Sequence, residues 1–196
     1  QSHLKKNGTP TMGGIIFLVS VILTSCLYMK NYSQIIPILF VTVGYGVIGF
    51  LDDYIKIVLK RSEGLTPSQK MLGQILVTGV FAVYMYKFSG ISMEMIVPFF
   101  KDVTLDLGFL TIPVMFLAII GTVNGVNFTD GLDGLCGSVT FFAALFFMLI
   151  ASLMSYLGVT ALSAAVAGGC LGFLVWNFYP AKVFMGDTGS LFLGGI

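Results

Sequence analysis

Asn124, Asn127, Asp130 and Asp133 recur at three-residue intervals in NGVNFTDGLDGL, residues 124–135, which sets two amides and two carboxylates between hydrophobic runs that cannot solvate them. A spacing of three eclipses side chains in a 3₁₀ turn and rotates each by about 60° on an α-helix, so neighbouring members can converge on one small target. Gly125, Gly131 and Gly134 interrupt a regular helix and let backbone approach a bound phosphate or metal. The competing reading is a polar interhelical loop whose Asn and Asp residues cap helices.

Three further segments carry chemistry-bearing residues. FLDDYIK, residues 50–56, places Asp52 and Asp53 side by side at the end of an apolar run. Adjacent helical residues point about 100° apart, and Asp53 lies roughly one turn from Lys56. One aspartate is thus available for chemistry while the other pairs with the lysine. KVFMGDTGS, residues 182–190, holds Asp187 between Gly186 and Gly189 in an expected loop before a new apolar run. A carboxylate with such neighbours suits Mg²⁺, a small hard cation that takes close oxygen ligands together with substrate phosphate; the alternative is a tight turn with Asp187 as a cap. HLKK, residues 3–6, followed by GTPTMGG supplies two cations and two hydroxyls, which suit either a diphosphate or anionic lipid. His3 is the only histidine, so no histidine pair exists for acid–base or metal work.

The elements that must position these residues are membrane helices. The chain is 57% hydrophobic and 10% charged, with a mean hydropathy of +0.97. Soluble domains carry about a quarter charged residues. Apolar runs at 13–29, 35–51, 71–88, 109–122, 138–157 and 161–178 each approach the ~20 residues a bilayer needs, and a seventh begins at Leu191. The fourth run is short, which predicts that its helix continues into the polar cluster at Asn124. A net charge of +1, without basic clusters interleaved with aromatics, disfavours nucleic acid as a partner. Cys26, Cys136 and Cys170 fall in or beside apolar runs and suggest neither a disulfide framework nor a zinc site.

Counting crossings puts all four motifs on one side. That side carries Lys5, Lys6, Lys56, Lys60, Arg61, Lys70 and Lys182, against Lys30, Lys87 and Lys101 on or near the other, so the positive-inside rule makes it cytoplasmic. On the outer side, residues 89–108 show partial period-two alternation and predict a short hairpin. No internal repeat supports a repeat-built transporter, and the carboxylates gather at one surface rather than along a midplane path. A transporter is therefore the weaker reading.

In order, HLKK-GTPTMGG, FLDDYIK, NGVNFTDGLDGL and NFYPAKVFMGDTGS resemble the bacterial phospho-N-acetylmuramoyl-pentapeptide transferases of the polyprenyl-phosphate N-acetylhexosamine-1-phosphate transferase superfamily. The resemblance implies an all-α, polytopic protein of the bacterial cytoplasmic membrane with its active site on the cytoplasmic face. It implies transfer of phospho-MurNAc-pentapeptide from UDP-MurNAc-pentapeptide to undecaprenyl phosphate, giving lipid I and UMP with Mg²⁺ in peptidoglycan synthesis. Under it, Asp187 is the principal Mg²⁺ ligand, and Asp52 and Asp53 lie near the polyprenyl phosphate, with Asp52 as base and Lys56 neutralising charge. Asn124, Asn127, Asp130 and Asp133 shape the nucleotide and metal site, Gly131, Leu132 and Asp133 lie near uracil, and Phe184 stacks on it. Lys6, Thr11 and Asn177 complete the polar wall.

The family also has an earlier N-terminal span, a histidine-rich cytoplasmic motif and further C-terminal spans. Residues 1–196 are accordingly expected to be one integral-membrane transferase domain, incomplete at both ends and nearly inactive alone. The nearest enzymatic alternative is a sibling that transfers GlcNAc-1-phosphate or a related sugar phosphate to the same lipid. The oligomeric state is left open, a homodimer included.

Overall fold

The computed structural model describes residues 8–61, 63–90, 92, 94–97, 100 and 103–196. His3, Lys5, Lys6 and Lys101 lie outside the described residues. The six expected apolar runs become helices α1 (Gly14–Tyr28), α2 (Ile35–Ile57), α3 (Pro67–Lys87), α4 (Thr111–Thr129), α5 (Leu135–Leu153) and α6 (Leu157–Asn177), followed by α7 (Gly186–Gly194). Among the described residues, four stretches are long and apolar enough to cross a membrane: Ile35–Ile57, Gly108–Thr129, Leu135–Leu153 and Leu157–Asn177. α1 is apolar but only 15 residues long, and α3 opens with polar Ser68, Gln69, Lys70 and Gln74. The chain is a polytopic helical membrane protein.

Helix boundaries shift by a few residues from the expected runs at α3, α5 and α6, and two larger shifts bear on the site. α2 continues beyond Leu51 to Ile57, so both aspartates of FLDDYIK are helical. α7 begins at Gly186 rather than Leu191, which places Asp187 in its first turn instead of a preceding loop. The cause is tertiary: Asp53 supplies acceptors for the free amides of this helix start. By contrast, α4 extends through Asn124 and Asn127 to Thr129, as its short apolar run predicts. The hairpin expected over residues 89–108 forms too, with β1 (Glu94–Ile96) antiparallel to β2 (Thr104–Asp106) and Glu94 opposite Asp106.

Alternate ends of α1–α6 meet the start of α7 at one end of the bundle. Backbone bonds fix the first of these junctions: Gly13 and Gly14 donate to the carbonyls of Phe184 and Met185, and Phe184 donates to that of Pro10. From Thr188 to Gly194 every residue of α7 is buried, against α1, α2 and α4. Glycines permit this close approach. A Cβ on Gly14 would lie 2.4 Å from the Gly189 Cα, and one on Gly194 would lie 2.6 Å from the Val123 Cα. Phe17, Val21, Phe173, Phe192 and Cys170 form the core around these contacts. The outward faces are apolar as a bilayer requires, with Leu117 and Phe142 exposed.

Gly14→Ala should therefore destabilise the protein by about 1–3 kcal/mol, because the obstructing atoms are backbone and cannot rotate away. Gly121→Ala, with nothing within 4 Å of the added methyl, should not. Thermal unfolding in detergent distinguishes the two; equal unfolding temperatures for both variants would contradict this account of α7 packing.

Candidate active site

Asp187 stands where four helix ends meet. Its Oδ2 accepts from Lys70 Nζ of α3 at 2.8 Å and Lys56 Nζ of α2 at 3.2 Å, while its Oδ1 accepts from Asn127 Nδ2 of α4 at 2.9 Å. Asn127 Nδ2 also donates to Ser190 Oγ at 2.7 Å, which ties α4 to the second turn of α7. Burial pushes the Asp187 carboxyl up, but hydrogen bonding with Asp52, Lys70 and Asn127 outweighs it and holds the group well below the usual carboxylate range. Asp187 is thus an anion at neutral pH.

Asp53 serves the backbone of α7. Its Oδ1 accepts from the Asp187 amide at 3.2 Å, and its Oδ2 accepts from the Thr188 amide at 2.8 Å and the Thr188 hydroxyl at 2.6 Å. A negative side chain at a helix start satisfies orphan amides and complements the positive end of the helix dipole. Gly186 has φ +75°, and a Cβ there would sit 2.6 Å from Asp53 Oδ2; a Cβ on Gly49 would sit 2.1 Å from the Asp187 carbonyl oxygen. Both positions require glycine for the carboxylate and the helix start to meet.

Asp52 points elsewhere, as its 100° offset from Asp53 predicts. The Leu65 amide donates to Asp52 Oδ1 at 2.8 Å, and a Cβ on Gly64 would crowd the same atom. Lys56 pairs with Asp52 Oδ2 one turn away, rather than with Asp53 as its sequence spacing also allowed. Asp52 and Asp53 are buried, at 2% and 5% exposure. The ammonium groups of Lys56 and Lys70 pair with the carboxyls of Asp52 and Asp187.

The cluster at 124–133 does not converge on one point. Asn127 reaches Asp187, whereas Asn124 pairs with Gln74 one turn deeper. Asp130 is the C-cap of α4, and Gly131 and Leu132 are exposed in the turn to α5. Asp133 Oδ2 accepts from the Ala181 amide at 3.1 Å. Asn177 braces the same region: it accepts from the Gly134 amide at 3.0 Å and donates to the Val183 carbonyl at 2.9 Å. Phe184 is half-buried and lies beside the entry to α1, and the Thr11 hydroxyl lies near Gly186. Lys6 is outside the described residues.

Lys70 is the site residue that motif reading missed. Its signal is present in T-P-S-Q-K: Thr66 accepts from the Gln69 amide, Gln69 returns a bond to the Thr66 amide, and Pro67 occupies the first turn. Such a capping box with proline marks a helix start. It therefore places Lys70 at the same end of the bundle as Asp187.

One oxygen from each of Asp52, Asp53 and Asp187 lies within 4.8 Å of the others. Ligands across an octahedral Mg²⁺ stand about 4 Å apart, and carboxylate oxygens are its preferred donors, so the residues fit a small hard cation after a slight inward movement. Asp187 and Asp52 are the available ligands, since Asp53 is committed to the α7 amides. The ammonium groups now balancing this charge would then be displaced toward an incoming anion.

Comparison with known proteins bears on what that anion is. Residues 6–18 match the phospho-N-acetylmuramoyl-pentapeptide-transferase signature 1. The chain is 49% identical to the phospho-N-acetylmuramoyl-pentapeptide-transferase of Acetivibrio thermocellus, covering 100% of this chain and 59% of that protein. It is 48% identical to the proteins of that name from Clostridioides difficile and Bacillus subtilis, covering 100% of this chain and 61% of each of theirs. The chain thus spans about three-fifths of the length of these curated relatives. The model of glycosyl transferase family 4 matches residues 35–196. Because that match takes in all three clustered aspartates and both lysines, the chain that builds this site belongs to glycosyl transferase family 4.

Proposed function

We propose that this chain carries the phosphotransfer site of an enzyme that moves phospho-MurNAc-pentapeptide from UDP-MurNAc-pentapeptide to undecaprenyl phosphate, releasing UMP and forming lipid I. The observation that carries the reading is the meeting of Asp52, Asp53 and Asp187 with Lys56 and Lys70 at one end of a membrane bundle. Relatives named for the activity align along the whole of this chain.

In the reaction a phosphate oxygen of the acceptor attacks the sugar-linked phosphorus of the donor. The diphosphate bond breaks, and its bridging oxygen leaves on UMP. Two anions must approach each other, so catalysis depends on positioned positive charge. Bound Mg²⁺, held by Asp187 and Asp52, would supply charge neutralisation at the diphosphate. Lys56 and Lys70 would turn from Asp187 toward substrate phosphate. Asp52 would hold the metal through its Oδ2, the oxygen that now faces Lys56, and the acceptor would attack as its phosphate dianion. Asp53 would hold the α7 start, and with it Asp187, in place. Asn127 would fix the Asp187 carboxylate plane through Oδ1.

The site end bears Lys56, Lys60, Arg61, Lys70 and Lys182, and the opposite end Lys30 and Lys87, among the described residues. That asymmetry supports a cytoplasmic site, where a UDP-linked substrate is available. A radiolabel assay on the full-length protein tests the reading. Transfer from UDP-MurNAc-pentapeptide to undecaprenyl phosphate should exceed transfer from UDP-GlcNAc. Comparable or faster use of UDP-GlcNAc would overturn the branch assignment, and transfer from neither would overturn the activity.

A further inference from the structure

Gln74 is an amide side chain on α3 at 1% exposure, where its polar atoms need partners. It finds them in Asn124 of α4. Asn124 Nδ2 donates to Gln74 Oε1 at 2.8 Å, and Gln74 Nε2 donates back to Asn124 Oδ1 at 3.3 Å. Asn124 Nδ2 also donates to the Ile120 carbonyl at 2.8 Å, which fixes its rotamer against its own helix. The pair is therefore closed on itself.

Its place in the bundle gives it significance. Gln74 lies one turn below Lys70 on α3, and Asn124 lies one turn below Asn127 on α4. Lys70 and Asn127 grip opposite oxygens of Asp187, alongside Lys56 on Oδ2. Few side chains are fully buried on these two helices: α3 buries Gln74, Thr78 and Ala82, and α4 buries Thr111 and Val123. Thr78 is bound to the Tyr45 hydroxyl at 2.6 Å, so the same stripe is anchored to α2, the helix of Asp52 and Asp53.

We propose that the Gln74–Asn124 amide pair is a positioning clamp: it sets the spacing of α3 and α4 and so keeps Lys70 and Asn127 beside Asp187, with Lys70 placed to turn to substrate phosphate. The inference rests on the proposed function for its catalytic consequence, but the clamp itself is a geometric claim. In it Asn124 acts through its neighbours rather than on substrate.

The test uses the full-length protein. Gln74→Leu keeps the bulk of the side chain and removes both hydrogen bonds. It should lower kcat about 10- to 100-fold, the scale of an ångström-sized misplacement, with little change in KM for the UDP-linked donor. In a Lys70→Met background the same change should cost several-fold less, because one of the two groups it positions is already gone. The exchange Gln74→Asn with Asn124→Gln conserves the combined reach and should restore activity to within about 3-fold of the unaltered protein.

A second readout needs no activity. Spin labels at the exposed positions 72 on α3 and 128 on α4, with exposed Cys26 replaced by serine, should give a narrow distance distribution. Gln74→Leu should broaden it, and the exchange should narrow it again. An unchanged distribution in Gln74→Leu, or equal losses in both lysine backgrounds, would overturn the clamp. Normal spin-label behaviour with no muramoyl transfer by any variant would instead overturn the proposed function and leave the clamp standing.

Discussion

Asp187→Asn in the full-length protein is expected to lower metal-dependent transfer by at least ~100-fold while leaving the protein folded. The substitution keeps the shape of the side chain. It removes the charge that Lys56, Lys70 and a hard cation all require, and amides are poor ligands for Mg²⁺ beside carboxylates. The Asp187 backbone amide that joins α7 to Asp53 is untouched, so thermal unfolding should stay close to that of the unaltered protein. Asp106→Asn at the far end of the bundle, where the carboxylate accepts from the Gly108 amide, is the control and should retain full turnover. Near-normal turnover by a well-folded Asp187→Asn protein, with unchanged Mg²⁺ dependence, would return Asp187 to a purely structural role.

The second large effect has the opposite signature. Asp53→Ala leaves the Thr188 amide and hydroxyl and the Asp187 amide without their acceptor in a buried setting. Each unsatisfied group costs about 1–3 kcal/mol, so a total of order 3 kcal/mol or more is expected after relaxation. Activity should fall as well, because Asp187 sits in the turn that Asp53 anchors. Asp53 and Asp187 are thus separable by one measurement: loss of Asp53 lowers the unfolding temperature together with transfer, whereas loss of the Asp187 charge lowers transfer alone. An Asp53→Ala protein of unchanged unfolding temperature would contradict the capping role.

These two aspartates also mark how far the amino-acid pattern alone reaches. The helices, the hairpin and the extension of α4 into Asn124 and Asn127 follow from apolar run lengths and alternation, which are local properties. The gathering of Asp52, Asp53 and Asp187 at one end follows from counting crossings. What spacing does not contain is the partner of each group. Asp53 and Asp187 are far apart in sequence, and only the packed α2–α7 contact, opened by Gly49 and Gly186, shows one capping the helix that carries the other. The three-residue repeat at 124–133 suggested convergence, yet it spans the end of α4, where the helical phase stops at Thr129. Asn124, Asn127 and Asp133 consequently meet different neighbours. Lys70 was legible through its capping box, which fixes where α3 starts and hence which end of the bundle the lysine occupies.

The central claim is that Asp52 and Asp187 form a divalent-cation site beside Lys56 and Lys70. Manganese binding followed by electron paramagnetic resonance tests it directly, since Mn²⁺ favours the same carboxylate oxygens as Mg²⁺. With UDP-MurNAc-pentapeptide present, the full-length protein should bind one Mn²⁺ that Mg²⁺ displaces, and Asp187→Asn should abolish that binding while Asp106→Asn preserves it. Undiminished binding of Mn²⁺ by the folded Asp187→Asn protein would contradict the account.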